Sequence, residues 1–230
     1  MVFLFSAAKR AQKILQFLEE QYESGNAELK PDVVAYTTVM DVLAKSKLRG
    51  KATAVRDILV RMHKKHSNGD NDVRPNVYSY GTVFNACAYT FHRDDKAVAL
   101  KIALDTMKEL RELHWLRPSH VIYANFLKVI ANSMSRRDPR RHDVIQSAFH
   151  ECCERGLVSP LVLSCLRTMV STEQYAELLG DDVAELNYVV KNDLPKDWTC
   201  NVKQKRSKKM STFRKLGKKK KPRISKPSKR

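Results

Sequence analysis

Apolar residues recur along this chain at helical spacing. Val33, Tyr36, Met40 and Leu43 are separated by three, four and three positions, as are Val77, Tyr80, Phe84 and Cys87, and again His120, Tyr123, Leu127 and Ile130. At about 100° per residue these positions share one face, so the spacing predicts three amphipathic helices that each bury a tyrosine. The three are copies of one motif. Tyr36-Thr37-Thr38-Val39-Met40 returns as Tyr80-Gly81-Thr82-Val83-Phe84 and as Tyr123-Ala124-Asn125-Phe126-Leu127, at offsets of 44 and 43 residues, with Ala44, Ala88 and Ala131 near each end. A second pattern alternates with the first. Ala52, Val55, Ile58, Leu59 and Met62 overlay Ala97, Leu100, Ala103, Leu104 and Met107, and Ala8, Ala11, Ile14, Leu15 and Leu18 form an apolar face in the same register. The chain therefore reads as tandem helix pairs, each burying its face against its neighbours.

Each first helix is introduced by the same punctuation: Pro31-Asp32, Pro75-Asn76 and Pro118-Ser119. Proline cannot continue a helix, and Asp, Asn and Ser oxygens accept the unpaired N–H groups of a first turn. Residues 141–155 predict a further second-type helix, with Val144, Ile145, Ala148 and Phe149 inward and Gly156 as its stop. Ser159-Pro160 opens a fourth first-type helix, 161–170, that lacks the tyrosine, and 172–179 predicts a short partner for it before a terminal segment packed by Trp198. The organisation so read is the second helix of an incomplete repeat at 6–23, repeats at 32–75, 76–118 and 119–159, a capping repeat with terminal segment at 160–200, and a tail at 201–230. Because 6–23 lacks a first helix, the array is expected to be a piece of a longer one.

Charge changes the picture at the C-terminal end. Of 43 Lys and Arg, 15 fall in 203–230 with no Asp or Glu, which leaves 28 basic against 25 acidic residues in 1–202; the net charge of +18 is chiefly the tail's. Without an apolar face the tail is expected to be solvated and disordered. No run approaches the roughly 18 apolar residues of a membrane span, and Met1-Val2-Phe3-Leu4-Phe5 is too short for a signal-peptide core, so a soluble compartment is expected. Cys87, Cys152, Cys153, Cys165 and Cys200 form no C-x-x-C pair, and reduced thiols are the reading.

Pro-Asp-Val-Val-x-Tyr-x-Thr, a small residue late in the helix, and an Ala-rich second helix ending in Met before the next Pro-Asp or Pro-Asn together make residues 7–170 resemble the pentatricopeptide repeat family. The resemblance implies an all-α, right-handed solenoid of antiparallel helix pairs. The first helices would line a concave groove that takes single-stranded RNA at about one base per repeat. It also implies that the residue after the Tyr and the cap of the next repeat hydrogen-bond one base together: Thr37 with Asn76, Gly81 with Ser119, and Ala124 with Pro160. Only the first pair is chemically complete, since Gly81 and Ala124 offer no side-chain donor or acceptor; Thr37 with Asn76 resembles the combination that favours adenine. Val34, Tyr78 and Val121, two residues after each cap, match the base-stacking position. The repeats are longer than the family's usual ones, the excess lying in His63–Asp72 and in the second helix beyond Met107. The family is mostly organellar, which favours mitochondrion or plastid; the tail blocks also resemble a nuclear-localisation signal, which leaves nucleus or cytosol open.

Other chemistry is sparse. His63 and His66 stand three apart without the Cys or carboxylate that would complete a metal shell, and Cys152-Cys153 beside His150 reads as a partly buried pair on a helix. Asp94 and Asp95 are expected to cap the helix that follows, and Asp181-Asp182 to form a solvated turn. No glycine-rich phosphate loop, nucleophile elbow or His-Glu-x-x-His occurs, so neither an enzyme nor a cofactor is expected. Tyr36, Tyr80 and Tyr123 are read as core, not as a base platform. In the tail, Lys203, Lys205, Arg206, Lys208, Lys209, Arg214, Lys215, Lys218, Lys219, Lys220, Lys221 and Arg223 are expected to contact phosphates by counterion release. The expected function is a monomeric, non-enzymatic, single-stranded RNA-binding protein acting in RNA processing, stability or translation. The rival is a protein-interaction scaffold or ribosome-associated factor using the same concave surface.

Overall fold

The computed structural model describes residues 2–180 and 193–202, with side chains from Ala7 onward. Among the described residues there are ten α-helices and no strand: α1 (Val2–Glu23), α2 (Val33–Lys45), α3 (Lys51–Ser67), α4 (Val77–Ala88), α5 (Lys96–Glu112), α6 (His120–Ser133), α7 (Arg140–Glu154), α8 (Pro160–Met169), α9 (Thr172–Leu179) and α10 (Lys196–Thr199). The fold is an all-α helical-repeat solenoid. The first helices α2, α4, α6 and α8 pack side by side in one layer, and α3 and α5 each pack on the first helix of their own repeat and of the next. Of the tail expected to be disordered, Asn201 and Val202 are described and close on the helical array, Asn201 N donating to Gly156 O; residues 203–230 and Asp181-Asp182 lie outside the described residues.

The repeated tyrosine is the centre of each pair. Tyr36, Tyr80 and Tyr123 are fully buried, and each ring withdraws roughly 150–250 Å² from water, worth several kcal/mol at about 25 cal/mol/Å². A buried hydroxyl then needs a partner. Tyr36 donates to Glu19 of α1 and Tyr80 to Glu109 of α5 at 2.6 Å, whereas Tyr123 approaches Glu151 of α7 without meeting hydrogen-bond geometry. The same three glutamates receive arginines from the neighbouring second helix: Arg61 reaches Glu19 at 2.9 Å, Arg56 reaches Glu109, and Arg111 reaches Glu151 at 2.7 Å. Thus α1, α3, α5 and α7 are tied in sequence by one glutamate per seam.

The caps follow the punctuation, with informative exceptions. Asp32 accepts from Ala35 N at 2.8 Å, and Asn76 and Ser79 form a reciprocal capping box. Ser119 occupies the cap of α6 without a side-chain bond to it. In the fourth copy the order is reversed: Ser159 is the cap, accepting from Val162 N, and Pro160 is the first helical residue. Asp95 does not cap α5 as expected. Its carboxylate instead accepts from Gly50 N at 2.9 Å, at the start of α3, where the cap residue is a glycine with no side chain to offer. Ile14, expected in the apolar face of α1, is exposed, as is Phe17, while Ala8 and Leu15 of the same helix are buried. Beyond α8, Trp198 packs edge-on against Phe149 of α7, and Asn201 N donates to Gly156 O at 2.9 Å.

Candidate nucleic-acid interface

Positions three and four apart on each first helix face the core, as Tyr36, Val39, Met40 and Leu43 do on α2, and exposed positions between them form the open face of the first-helix layer. Counting from the caps Asp32, Asn76, Ser119 and Ser159, the residue two positions on is Val34, Tyr78, Val121 and Leu161. All four are large, apolar and exposed, at 63%, 76%, 40% and 46%. Four consecutive packed helices therefore each present one apolar side chain beside their N-termini. Leu161 was missed in the sequence because Pro160 stands where a cap was sought; taking Ser159 as the cap brings it into the row.

Between α4 and α6 this face opens into a cleft of about 1100 Å³, and it contains Tyr78, Gly81, Ser119 and Val121 together. Gly81 and Ser119 thus share one cleft. Gly81 is no close-packing requirement, since a Cβ there would meet Ile122 Cγ1 at an ordinary 3.9 Å; its hydrogen leaves a notch in the cleft wall. Thr82 and Asn85 of α4 and Asn125 of α6 supply the polar side chains. Ala124 does not reach the cleft: it is buried in the core, which removes the expected Ala124 and Pro160 pair, and Asn125, one position on, lines the cleft instead. The signal for Asn125 was a polar residue set into the apolar run Tyr123–Ile130.

Thr37 and Asn76 lie one repeat earlier, both half-buried. Thr37 Oγ1 donates to Val33 O at 2.7 Å within its own helix, which leaves its lone pairs as acceptors. Asn76 Oδ1 accepts from Tyr78 N and Ser79 N at 2.9 and 3.2 Å, so its amide hydrogens are what it can offer outward. One acceptor and one donor are the pair that an adenine edge complements.

The far wall of the cleft is built from the added length of the second repeat: Leu110 and Arg111 of α5, and Leu113, His114, Leu116 and Arg117 of the loop after it. Arg155 and Asn201 close the other side. No Asp or Glu lines the cleft, while three arginines and two histidines do. Arg111 and Arg155 share Glu151, at 2.7 and 3.1 Å, so Arg117 is the cleft arginine with no carboxylate partner among the described residues. His120, at the first turn of α6, has its Nδ1 buried without a partner, and burial pushes its pKa down, favouring the neutral ring. Arg74 stacks on Trp115 at 4.1 Å, joining the segments that precede α4 and α6.

The remaining candidates fall elsewhere. His63 Nε2 lies 2.9 Å from Tyr80 Oη and 3.1 Å from Glu109, at the seam with the next repeat, and His66 Nδ1 lies 3.3 Å from Asp70 O, within the turn that follows α3. Cys152 and Cys153 are buried, and burial holds the Cys153 thiol up at about 12, far from a thiolate nucleophile. The residues expected to contact phosphates, Lys203 to Arg223, lie outside the described residues. No helix of the described residues is long and apolar enough to cross a membrane.

A family model described as pentatricopeptide repeat domain matches residues 22–87, which span α2, α3 and most of α4. Comparison with curated proteins and with solved structures returned no match. The matched stretch contains Val34, Thr37, Asn76, Tyr78 and Gly81, and the structural repetition carries the same positions into α6 and α8.

Proposed function

We propose, from a chain whose residues 22–87 match a pentatricopeptide repeat family model, a non-enzymatic protein that binds single-stranded RNA across the open face of its first-helix layer. RNA binding is typical of that family. The observation that carries the reading is the row Val34, Tyr78, Val121 and Leu161, one exposed apolar side chain per repeat, beside a cleft with no acidic lining. Exposed apolar surface in a regular row offers faces for unpaired bases, and basic groups without acids suit the phosphates that link them. Thr37 with Asn76 supplies base preference; Gly81 with Ser119 supplies little; the basic tail adds affinity without selectivity. RNA processing, stability or translation is the setting such binding serves.

Filter binding of the full chain to homopolymer RNAs tests this. Tyr78→Ala should weaken binding by about 1–3 kcal/mol, the usual worth of one stacked base, and Thr37→Ala with Asn76→Ala should erase a preference for poly(A). Truncation after Asn201 should lower affinity for every homopolymer and flatten the salt dependence. If the groove variants bind every homopolymer as the parent does, the groove has no part in RNA binding, and the scaffold reading replaces this one.

A further inference from the structure

The α6–α7 junction carries four arginines in eight residues, Ser135-Arg136-Arg137-Asp138-Pro139-Arg140-Arg141-His142, and the groove uses none of them. Arg140 is exposed and pairs with Asp138 at 3.0 Å. Arg141 is the reverse case, only 7% exposed, and no ion pair with a carboxylate satisfies it among the described residues. Its Nη1 donates to Met169 O at 3.0 Å, at the C-terminal end of α8, while its Nε is buried with no partner. A guanidinium carries five N–H donors and cannot shed its charge. Lys51, near the start of α3, shows what a satisfied buried cation looks like in this fold: its ammonium donates to Ala44 O and Ser46 O, at 2.8 and 3.1 Å.

Arg141 lines a cavity of about 430 Å³ that also receives Arg136, Arg137, His142, Ser171 and Gln174. The one acid in its wall, Asp138, is occupied by Arg140, whose backbone and guanidinium N–H groups all reach it at 3.0–3.1 Å. Helix α7 opens at this loop, and its first two N–H groups, of Arg140 and Arg141, are already bonded to Asp138, so the positive charge of the pocket is that of its arginines. Since a water takes about 30 Å³, the space holds a tetrahedral oxyanion with several waters.

We propose that this pocket binds phosphate, and that its occupant is a backbone phosphate of the same single-stranded RNA. The assignment to RNA rests on the function proposed above. It follows from position: the pocket lies at the C-terminal ends of α6 and α8, two helices of the groove layer, and at the corresponding end of α4 the exposed Tyr89 ring lies 3.8 Å beneath Lys128 Nζ. RNA leaving the groove over this edge meets an aromatic face and then the arginine pocket.

The test compares the full chain with Arg141→Met, which keeps bulk without charge, and with the surface double variant Arg136→Ala, Arg137→Ala, whose side chains are exposed. Inorganic phosphate at constant ionic strength should raise the melting temperature of the parent and fail to raise that of either variant beyond what chloride does. Each variant should bind single-stranded RNA about tenfold more weakly, with the salt slope reduced by about 0.7. Equal phosphate responses in parent and variants would overturn the pocket. A phosphate response lost in the variants while RNA affinity and salt slope stay unchanged would overturn the RNA assignment and give the pocket to a phosphorylated protein. The Thr37 and Asn76 variants keep the phosphate response either way, so failure of the groove and failure of this pocket are read separately.

Discussion

Removing the charge on Glu109 should loosen the seam between the first two complete repeats. Burial alone would push this carboxyl up, but the hydrogen bonds from His63, Tyr80 and Arg56, with the Arg56 charge, outweigh it and hold the pKa at about 2 against an ordinary 4.5. At about 1.4 kcal/mol per unit, that depression corresponds to roughly 3 kcal/mol of stability, an upper value because the carboxylate is partly exposed. The sign is that of a depressed acid: the contribution is complete above pH 4.5 and is lost as pH falls toward 2. Glu109→Gln keeps the shape and removes the charge, leaving Arg56, whose Nη1 already lacks a partner, without its counter-ion. Urea unfolding at neutral pH should show the variant destabilised by about 2–3 kcal/mol. Repeated at falling pH, the gap between parent and variant should close between pH 4.5 and 2. Other acids titrate in both proteins and cancel in the difference. A variant within about 0.5 kcal/mol of the parent at neutral pH, or a gap that persists unchanged to pH 2, would refute the network.

Two glycines should respond in opposite directions. Gly81→Ala places a methyl in ordinary contact with Ile122 and gains about 0.8–1.0 kcal/mol of helix propensity, so thermal melts should shift up by about 2–4 °C; a fall would mean that α4 and α6 need the closer approach. Gly156→Ala meets a left-handed φ of +67° and puts Cβ 2.4 Å from Cys200 Sγ and 2.9 Å from Asp197 O. It should cost at least about 2 kcal/mol and shift Trp198 fluorescence, because the terminal segment must move off α7; an unaltered spectrum would contradict the packing.

The fold was legible because the tyrosine, its spacing partners and the Pro-cap pair all repeat, and each has a local physical cause. What escaped was whatever depends on two repeats at once. Asp95 looked like a cap because it precedes a helix, yet the unfilled cap of α3 lies 45 residues away at Gly50 and offers it a backbone donor. The Glu19, Glu109 and Glu151 seams use residues that carry no common register with their arginines, so no offset announces them. At the candidate site the expected base-reading positions follow from a count from the Tyr. Gly81 at that count lines the cleft and Thr37 lies half-buried one repeat earlier, whereas helix α6 buries Ala124 and turns Asn125 to the cleft. Leu161 was lost to a single transposition, Ser-Pro in place of Pro-Ser.

The long repeats bear on the proposed RNA register through geometry, not through length. Caps at Asp32, Asn76, Ser119 and Ser159 are spaced by 44, 43 and 40 residues, yet α2, α4, α6 and α8 still pack directly on one another. Distance along the groove is then set by helix-to-helix contact, about 8–10 Å per step, whatever the number of residues between caps. The added residues leave the first-helix layer and are absorbed elsewhere: after α3 in a 3-10 turn whose Asp70 and Asp72 hold Lys30 of the preceding repeat at 2.9 and 2.8 Å, and after Met107 in the cleft wall that carries His114 and Arg117. One insertion tightens a seam and the other adds positive charge beside the groove. Longer repeats therefore preserve the row of exposed apolar side chains while changing the electrostatics next to it, and that is why the second cleft wall, not the spacing of the row, is where this chain departs most from a plain array.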